Sequence, residues 1–196
     1  MKILIIADEE DPYLWSRTRE DHPETDLILS CGDLESAYLQ YLVTVFNCPL
    51  LYVCGNHDTH YKDRPPEGCI CIEDMVYDFQ GLRILGLGGS FRYRQGEYMY
   101  TEQEMRRKYR KAWRFVKNHG GFDILLTHAP AYGMGDLDNL SHRGFQLFEK
   151  LIRKYHPRYH VHGHVHRSYD SLFIRVREYE GGTKAINAFG KYYLEI

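Results

Sequence analysis

The sequence predicts an α/β fold, and two patterns along the chain support this prediction. Five short apolar runs each end in a polar residue of a type that binds metals, and helical stretches separate several of them. The runs are KILIIAD, DLILSCGD, PLLYVCGNHD, FDILLTHAP and RYHVHGHVH. The first four lack a clear alternation of apolar and polar residues, which is typical of strands buried on both faces. We predict a single domain spanning residues 1–196.

Four helices are predicted between the strands. They span residues 12–21, 35–46, 101–118 and 143–155. The third is the clearest, because Thr101 and Glu104 form a capping box and apolar residues recur on one helical face. Asp33 or Ser36 is expected to cap the second helix, and Pro157 is expected to end the fourth.

Shorter strands are predicted in the middle of the chain and in its last part. The middle strands span 69–72, 75–79 and 83–87, with a turn at Gln80-Gly81. Residues 171–196 are expected to form strands joined by turns at Gly181-Gly182 and at Gly190.

Composition and charge exclude several classes of protein. A net charge of -2 at pH 7 argues against a general polyanion binder and gives no strong nucleic-acid signal. No apolar run approaches the ~20 residues needed to cross a bilayer, and the apolar stretch at the N-terminus is too short for a signal peptide. The 5 cysteines are an odd number without a C-x-x-C pair. We therefore expect a soluble, cytoplasmic protein with reduced thiols and no membrane partner.

The polar residues that end the apolar runs are expected to meet at one place. In open α/β sheets, ligands bind beyond the carboxyl ends of the strands. The residues at these ends are Asp8, Asp33, Asn56, His128, His164 and His166. A single Asp after a strand is a common turn former, so the agreement of five strand ends is the informative observation. Imidazole and carboxylate ligands together favour Zn, Mn, Fe or Co, and an Asp can bridge two ions about 3.5–4 Å apart.

Four motifs occur along the chain in a specific order. They are G-D at Gly32-Asp33, G-N-H-D at 55–58, T-H-A-P around His128 and G-H-V-H at 163–166. Together they resemble the signature of the calcineurin-like metallophosphoesterases, in particular small bacterial-type phosphodiesterases without a cap domain. The resemblance covers nearly the whole chain. It implies two mixed β-sheets packed as a sandwich and flanked by helices, with an open metal site at one sheet edge.

The resemblance also implies a set of metal ligands and a cofactor. Asp33 would bridge two divalent ions. The first ion would be completed by Asp8 and His166, and the second by Asn56, His128 and His164. Mn is the expected metal, with Fe, Zn, Co or Ni as alternatives. The implied reaction is displacement at phosphorus of a phosphomonoester or phosphodiester, small molecule or nucleotide, by a metal-bound hydroxide.

Four further residues are assigned roles around these ions. By the resemblance, His57 would stabilise the transition state or protonate the leaving oxygen, and Asp58 would orient its imidazole. Arg92 and Arg94 lie in a loop after a predicted strand and could contact a substrate phosphate. A mobile surface loop is the alternative interpretation of these arginines.

One motif departs from the family pattern. The first motif is usually D-x-H, whereas Glu10 stands in the position of the histidine here. We favour Glu10 as a metal ligand, which would shift the preference towards harder ions such as Mn. The alternative is a solvated acidic turn and a weak first metal site. This substitution is also the only feature that favours a second hypothesis, a catalytically weakened member of the fold that acts as a protein-interaction scaffold.

Two other features are interpreted as structural, and one residue is a further candidate for the site. His160 and His162 share one face of a strand and are expected to pack or to form hydrogen bonds rather than to bind metal. The basic residues of the 101–118 helix are expected to form a solvated outer face, and a surface that binds nucleic acid or phosphate is the alternative. His142 is a candidate for the rim of the pocket, and capping of the following helix by Ser141 is the alternative interpretation of this segment.

Overall fold

The computed structural model describes residues 1–16, 20, 22–169 and 173–196. Its strands, numbered in chain order, are β1 Lys2–Ala7, β2 Leu27–Ser30, β3 Leu50–Tyr52, β4 Ile70–Cys71, β5 Met75–Phe79, β6 Leu82–Leu87, β7 Ser90–Phe91, β8 Met99–Tyr100, β9 Ile124–Thr127, β10 Tyr159–His162, β11 Val176–Glu178, β12 Lys184–Asn187 and β13 Gly190–Glu195. The α-helices are α1 Pro12–Trp15, α2 Ser36–Phe46, α3 Glu102–Asn118 and α4 Gln146–Tyr155. Short 3₁₀ helices span Asp58–Lys62 and Leu140–His142.

Two mixed sheets form the centre of the fold. The first has the strand order β13-β1-β2-β3-β4, in which only β13 runs antiparallel to its neighbour. The second has the order β11-β12-β10-β9-β6-β5, with four parallel strands between two antiparallel edges. Strands β7 and β8 form a separate small pair. The expected architecture of two mixed sheets is confirmed.

Within the described residues, three apolar clusters separate four layers. The central cluster joins the inner faces of the two sheets, for example Ile5 and Leu29 of the first with Ile84 and Leu126 of the second. A second cluster packs α3 and α4 on the outer face of the second sheet, and a third packs α1 and α2 on the first. Both sheets are therefore covered on both faces, which explains why their central strands have continuous apolar runs.

The helix ends agree only in part with the sequence. The capping box of Thr101 and Glu104 is present at the start of α3, as expected. Helix α2 has Glu35 as its N-cap, without a side-chain hydrogen bond, so the expected cap by Asp33 or Ser36 was wrong. The α-helix expected over 12–21 ends at Trp15, and residues 17–19 and 21 of that prediction lie outside the described residues. Helix α4 begins at Gln146, later than expected.

The strand predictions are mostly confirmed, with two changes of extent. Strand β4 is shorter than the predicted 69–72, because only Ile70 and Cys71 pair with β3. Gly190 starts β13 instead of forming a turn, although its φ of 70° is still the left-handed value that glycine tolerates. None of the helices in the described part of the chain is long and apolar enough to cross a membrane.

Candidate metal centre

The candidate site lies where parallel strands of the two sheets end. Asp8 directly follows β1 and His128 directly follows β9, while Asp33 and His164 follow β2 and β10. Three of these residues have left-handed backbone conformations, with φ of 65° at Asp8, 58° at Asp33 and 68° at His164. Such values are uncommon for residues with a Cβ and are found preferentially where a site requires them. The chain turns sharply at each of these three residues.

The geometry is most compact around Asp33, His128 and His164. One ligand atom from each of these residues lies within 4.8 Å of the other two. The His128 Nε2 lies 3.1 Å from the Asn56 Oδ1 and 3.3 Å from the Asp33 Oδ2. The side chain of His128 is fully buried, and Asn56 is only 4% exposed. Two oxygens and two imidazoles therefore surround one small buried space.

Backbone carbonyls hold both imidazoles in orientation. The His128 Nδ1 lies 2.8 Å from the Cys31 carbonyl oxygen, so this nitrogen carries the proton that is donated there. The His164 Nε2 makes a 2.6 Å contact with the Ser141 carbonyl oxygen. A ring nitrogen that donates to a carbonyl leaves the opposite nitrogen with its lone pair available, as in many histidine metal ligands. The arrangement of His128 and His164 fits metal binding.

Asp8 and His166 lie beside this cluster. Both Asp8 carboxylate oxygens accept the backbone N–H of His164, at 3.0 and 2.9 Å, and the His166 Nε2 lies 3.5 Å from the Asp8 Oδ1. The rings of Tyr169 and Phe189 flank the His166 ring at centroid distances of 4.7 and 4.9 Å. An open pocket of ≈ 560 Å³ adjoins these residues. It is lined by Asp8, Glu9, His166, Arg167, Ser168 and Phe189.

Two glycines bring the loops after β2 and β3 into contact at the site. Gly32 has a φ of +94°, and a Cβ there would lie 2.2 Å from the Gly55 backbone nitrogen. A Cβ on Gly55 would lie 2.1 Å from the Asp33 Oδ1 and 2.7 Å from the His128 Cε1. Neither glycine has room for a side chain. At Gly55, atoms of the candidate ligands themselves occupy the space.

The substitution Gly55→Ala is expected to weaken metal binding about 10–100-fold, the range seen when support around a ligand is lost. The added methyl group must displace Asp33 or His128. Titration with Mn²⁺ measures the effect. The control is Gly96→Ala, whose Cβ would meet only the flexible Met99 side chain, at 3.1 Å. Equal affinities of Gly55→Ala and the unmodified protein would contradict the described packing.

His57 and Asp58 have different environments. His57 is exposed at the start of the Asp58–Lys62 helix, and its backbone N–H donates to the Asp33 Oδ1 at 2.7 Å. The Asp58 carboxylate is buried and accepts backbone N–H groups of Gly55 at 2.7 Å, Asp33 at 2.8 Å and Leu34 at 3.3 Å. Asp58 thus fixes the two loops that carry the site. Its expected role in orienting the His57 imidazole stays a prediction.

The charges of the cluster are strongly coupled. Burial opposes ionisation of Asp33, but the charge and hydrogen bond of His128 outweigh it and lower the pKa of Asp33 to about 2. Burial likewise opposes protonation of His128, but Asp33 raises its pKa to about 9. Burial, followed by the charge of Asp33, raises the pKa of Asp58 to about 7. A proton on His128 thus supplies the positive charge beside Asp33. A divalent cation could replace this proton, because carboxylate, amide oxygen and imidazole groups together suit such an ion.

Metal binding is expected to release this proton. Because the pKa of His128 is about 9, its ring is charged at pH 7 and must lose a proton before Nε2 can bind a cation. The apparent metal affinity should then rise about tenfold for each unit of pH up to the pKa of His128. Calorimetric titration with Mn²⁺ in buffers of different ionisation enthalpy measures the number of protons released. An affinity that stays constant between about pH 6 and about pH 8 would contradict the assignment.

Three residues from the sequence-based assignment have other partners. Glu10 accepts a hydrogen bond from the Trp15 indole N–H, and Glu9 rather than Glu10 lines the pocket beside Asp8.

The Arg92 guanidinium binds the Met99 carbonyl oxygen and pairs with the Glu104 carboxylate at 2.9 Å. Arg94 is exposed, with its guanidinium 5.5 Å from the centre of the neighbouring Tyr93 ring. In the described part of the chain, Glu10, Arg92 and Arg94 all lie outside the compact group of Asp33, His128 and His164.

The remaining histidines near the site are engaged within the protein. His160 is fully buried, and its Nε2 lies 2.9 Å from the Thr127 Oγ1. The His162 Nδ1 lies 3.1 Å from the Gly163 carbonyl oxygen, and burial lowers the pKa of His162 to about 4. Both therefore pack and form hydrogen bonds, as expected. The His142 ring lies 5.3 Å from that of His164, and its place at the rim of the pocket stays a prediction.

Sequence reasoning missed two kinds of contributor to the site. The carbonyl groups of Cys31 and Ser141 orient His128 and His164, and a backbone group leaves no signal in residue type. Arg167 and Phe189 line the pocket. The position of Arg167 directly after the G-H-V-H motif was a usable signal, whereas nothing in the sequence around Phe189 pointed to the pocket.

The fold and the Asp–His cluster define an α/β two-sheet protein with a candidate metal site. Residues 1–188 match the sequence model of the calcineurin-like phosphoesterase superfamily domain. The chain therefore belongs to the calcineurin-like phosphoesterase superfamily, as its motifs predicted. No curated protein sequence matches the chain.

Solved structures with a similar fold include TT1561 of Thermus thermophilus. It is 14% identical, the match covers 96% of this chain and 89% of that one, and the TM-score is 0.64. A single mutant of Vps29 from Entamoeba histolytica is 15% identical with coverage of 100% and 86% and a TM-score of 0.45. The protein of unknown function AQ665 from Aquifex aeolicus is 14% identical with coverage of 98% and 95% and a TM-score of 0.45. At this identity the likeness to TT1561 concerns the fold alone.

Proposed function

We propose that this protein is a metal-dependent hydrolase of phosphoesters. The observation that carries the proposal is the buried group of Asp33, His128 and His164, whose ligand atoms lie within 4.8 Å of one another in a member of the calcineurin-like phosphoesterase superfamily. Asn56 adds a fourth donor beside His128. We further propose two divalent ions, with Mn as the preferred metal and Fe, Zn, Co or Ni as alternatives.

We assign the site residues to three roles, which are metal binding, proton transfer and positioning of the loops. Asp33 would be shared by both ions, with Asn56, His128 and His164 on one side and Asp8 and His166 on the other. Bound divalent ions supply Lewis acidity and activate water at neutral pH. His57, exposed next to this group, would protonate the leaving oxygen. Asp58 would hold the loops of Asp33 and Gly55 in place through the three N–H groups that it accepts.

The lining of the pocket beside Asp8 favours a different arginine for binding the substrate phosphate than the two proposed from the sequence, Arg92 and Arg94. Arg167 lines this pocket, whereas Arg92 is paired with Glu104. We propose that Arg167 is the guanidinium that binds the phosphate, in place of Arg92 and Arg94. The pocket is open, so the proposal includes both small phosphoesters and nucleotides as substrates.

Hydrolysis assays on aryl phosphodiesters and aryl phosphomonoesters test the proposal directly. Metal-free protein is assayed before and after addition of Mn²⁺, with the Zn²⁺, Co²⁺ and Ni²⁺ forms in parallel. We expect turnover that depends on added metal and is removed by a chelator. Absence of metal-dependent turnover on both substrate classes, in protein that binds the metal, would favour the scaffold hypothesis instead.

The contact of Glu10 with Trp15 leads to a separate prediction about the ligands of the first metal ion. Since its carboxylate binds the Trp15 indole, we expect Glu10→Gln to leave the affinity for both ions unchanged, because an amide oxygen can accept the same N–H. The matched variant Asp8→Asn removes a proposed ligand and should weaken binding of the first ion about 10–100-fold or more. Metal content and calorimetric titration measure both. A loss of one ion in Glu10→Gln would show that Glu10 is a ligand, as the sequence predicted.

A further inference from the structure

Two cysteines lie together where β3 leads into the site. Cys71 ends β4, an edge strand, and its register partner on β3 is Tyr52. Val53 and Ile72 belong to the core between the two sheets. Because side chains alternate along a strand, Tyr52, Cys54 and Cys71 point to the opposite, outer face. Cys54 and Cys71 therefore share one face of neighbouring parallel strands.

The thiols of this pair are in contact and differ in access. Cys54 and Cys71 are linked by a side-chain hydrogen bond, and the Tyr52 hydroxyl bonds Cys71 while Tyr98 bonds Cys54. Both thiols are reduced; Cys71 is exposed, whereas Cys54 is buried. The hydrogen bond from Cys54 lowers the pKa of Cys71 to about 7. The exposed member is thus the one with thiolate character at neutral pH.

We propose that Cys54 and Cys71 form a redox-sensitive pair that a hydroperoxide converts to a disulfide, and that this disulfide weakens the metal centre. The first part rests on the contact, alignment and unequal exposure of the two thiols. The second part rests on the proposed function, in which Asn56 is a metal ligand. Cys54 directly precedes Gly55 and Asn56, so a change at Cys54 reaches the metal centre through the backbone.

The chemistry is a two-electron oxidation in two steps. The Cys71 thiolate attacks one peroxide oxygen, the O–O bond breaks, and the released hydroxide or alkoxide takes up a proton, leaving a sulfenic acid on Cys71. The Cys54 sulfur then attacks the Cys71 sulfur, losing its proton, and the hydroxyl group leaves as water. In total, two thiols are oxidised and one hydroperoxide is reduced.

The consequence for the site follows from the contacts of Cys54. Its N–H donates to the Glu73 Oε1 at 2.9 Å, and its carbonyl oxygen accepts the Gly89 N–H at 2.7 Å. Cys54 lies two residues beyond Tyr52, the register partner of Cys71, so the two Cα atoms are diagonal neighbours roughly 8 Å apart. A disulfide needs Cα atoms about 4.4–6.8 Å apart, so the two strands must move closer. That movement pulls on Gly55, which has no free space against Asp33 and His128.

The test is peroxide treatment of the reduced, full-length protein followed by mass spectrometry of peptides under non-reducing conditions. We expect a Cys54–Cys71 cross-link with the loss of about two hydrogen masses, reversed by dithiothreitol. Mn²⁺ affinity, which needs no turnover, should fall about tenfold in the oxidised protein and recover on reduction.

Two variants make the test specific. Cys71→Ser should fold, give no cross-link and keep its Mn²⁺ affinity under peroxide, while Cys69→Ser should still form the cross-link. Failure of the cross-link in the unmodified protein, or a pairing through Cys69, would overturn the proposal. A Cys54–Cys71 disulfide that leaves Mn²⁺ affinity unchanged would overturn its second part. Since these readouts do not involve phosphoester hydrolysis, they separate this inference from the proposed function.

Discussion

The variant Asp33→Asn is expected to lose metal-dependent phosphoester hydrolysis by about 10³-fold, the size of effect found when one essential electrostatic group is removed. Asparagine keeps the shape and can still accept the His57 N–H through its oxygen. It cannot supply the negative charge that two cations would share. The measurement is kcat/KM with saturating Mn²⁺, together with the affinity for the metal.

The same variant changes a second property that does not depend on turnover. The charge of Asp33 raises the pKa of His128, so its removal should return His128 to the neutral form at pH 7. Proton release on metal binding should then disappear. Asp63→Asn, which alters an exposed carboxyl at the end of the Asp58–Lys62 helix, is the matched control and should behave as the unmodified protein. Near-normal turnover of Asp33→Asn would contradict its assignment as the bridging residue.

The variant His57→Ala is expected to lower kcat by about 10²–10⁴-fold while metal affinity stays unchanged. The imidazole is exposed and lies outside the compact ligand group, so its loss leaves the metal donors intact. A general acid matters most when the leaving alcohol is a poor one. The defect should therefore be larger for alkyl than for nitrophenyl esters, which the ratio of kcat values for the two substrates measures.

His60→Ala is the matched control for His57. His60 is on the same 3₁₀ helix and lies 3.6 Å from the Glu35 carboxylate, away from the ligand group. It should retain normal turnover with both kinds of ester. Equal defects for alkyl and nitrophenyl esters in His57→Ala would rule out proton donation to the leaving oxygen.

Much of the fold and the centre of the candidate site could be predicted from the sequence for one physical reason. The buried strands are short, continuous apolar runs, and polar residues placed at their carboxyl ends have little freedom to lie elsewhere. Asp33, His128 and His164 were placed by strand position and residue type, and the structure brings them together. Helix α3 was equally clear, because its capping box is a local feature.

The other features of the site and the ends of some helices could not be predicted, because they depend on tertiary contacts that sequence patterns do not reveal. Long side chains contact neighbours that only the tertiary structure provides, so Glu10 binds the Trp15 indole and Arg92 binds Glu104. The carboxylate of Asp58 accepts backbone N–H groups, which any sequence would offer. The extent of helices with weak end signals, such as α4, was also set by packing rather than by a local motif.

Anomalous diffraction from crystals of the protein grown with Mn²⁺ tests the central claim most directly. We expect a strong anomalous peak among Asp33, Asn56, His128 and His164, at about 2.0–2.3 Å from their donor atoms. A weaker second peak is expected beside Asp8 and His166. Crystals of metal-loaded protein with no peak among the first four residues would contradict the account.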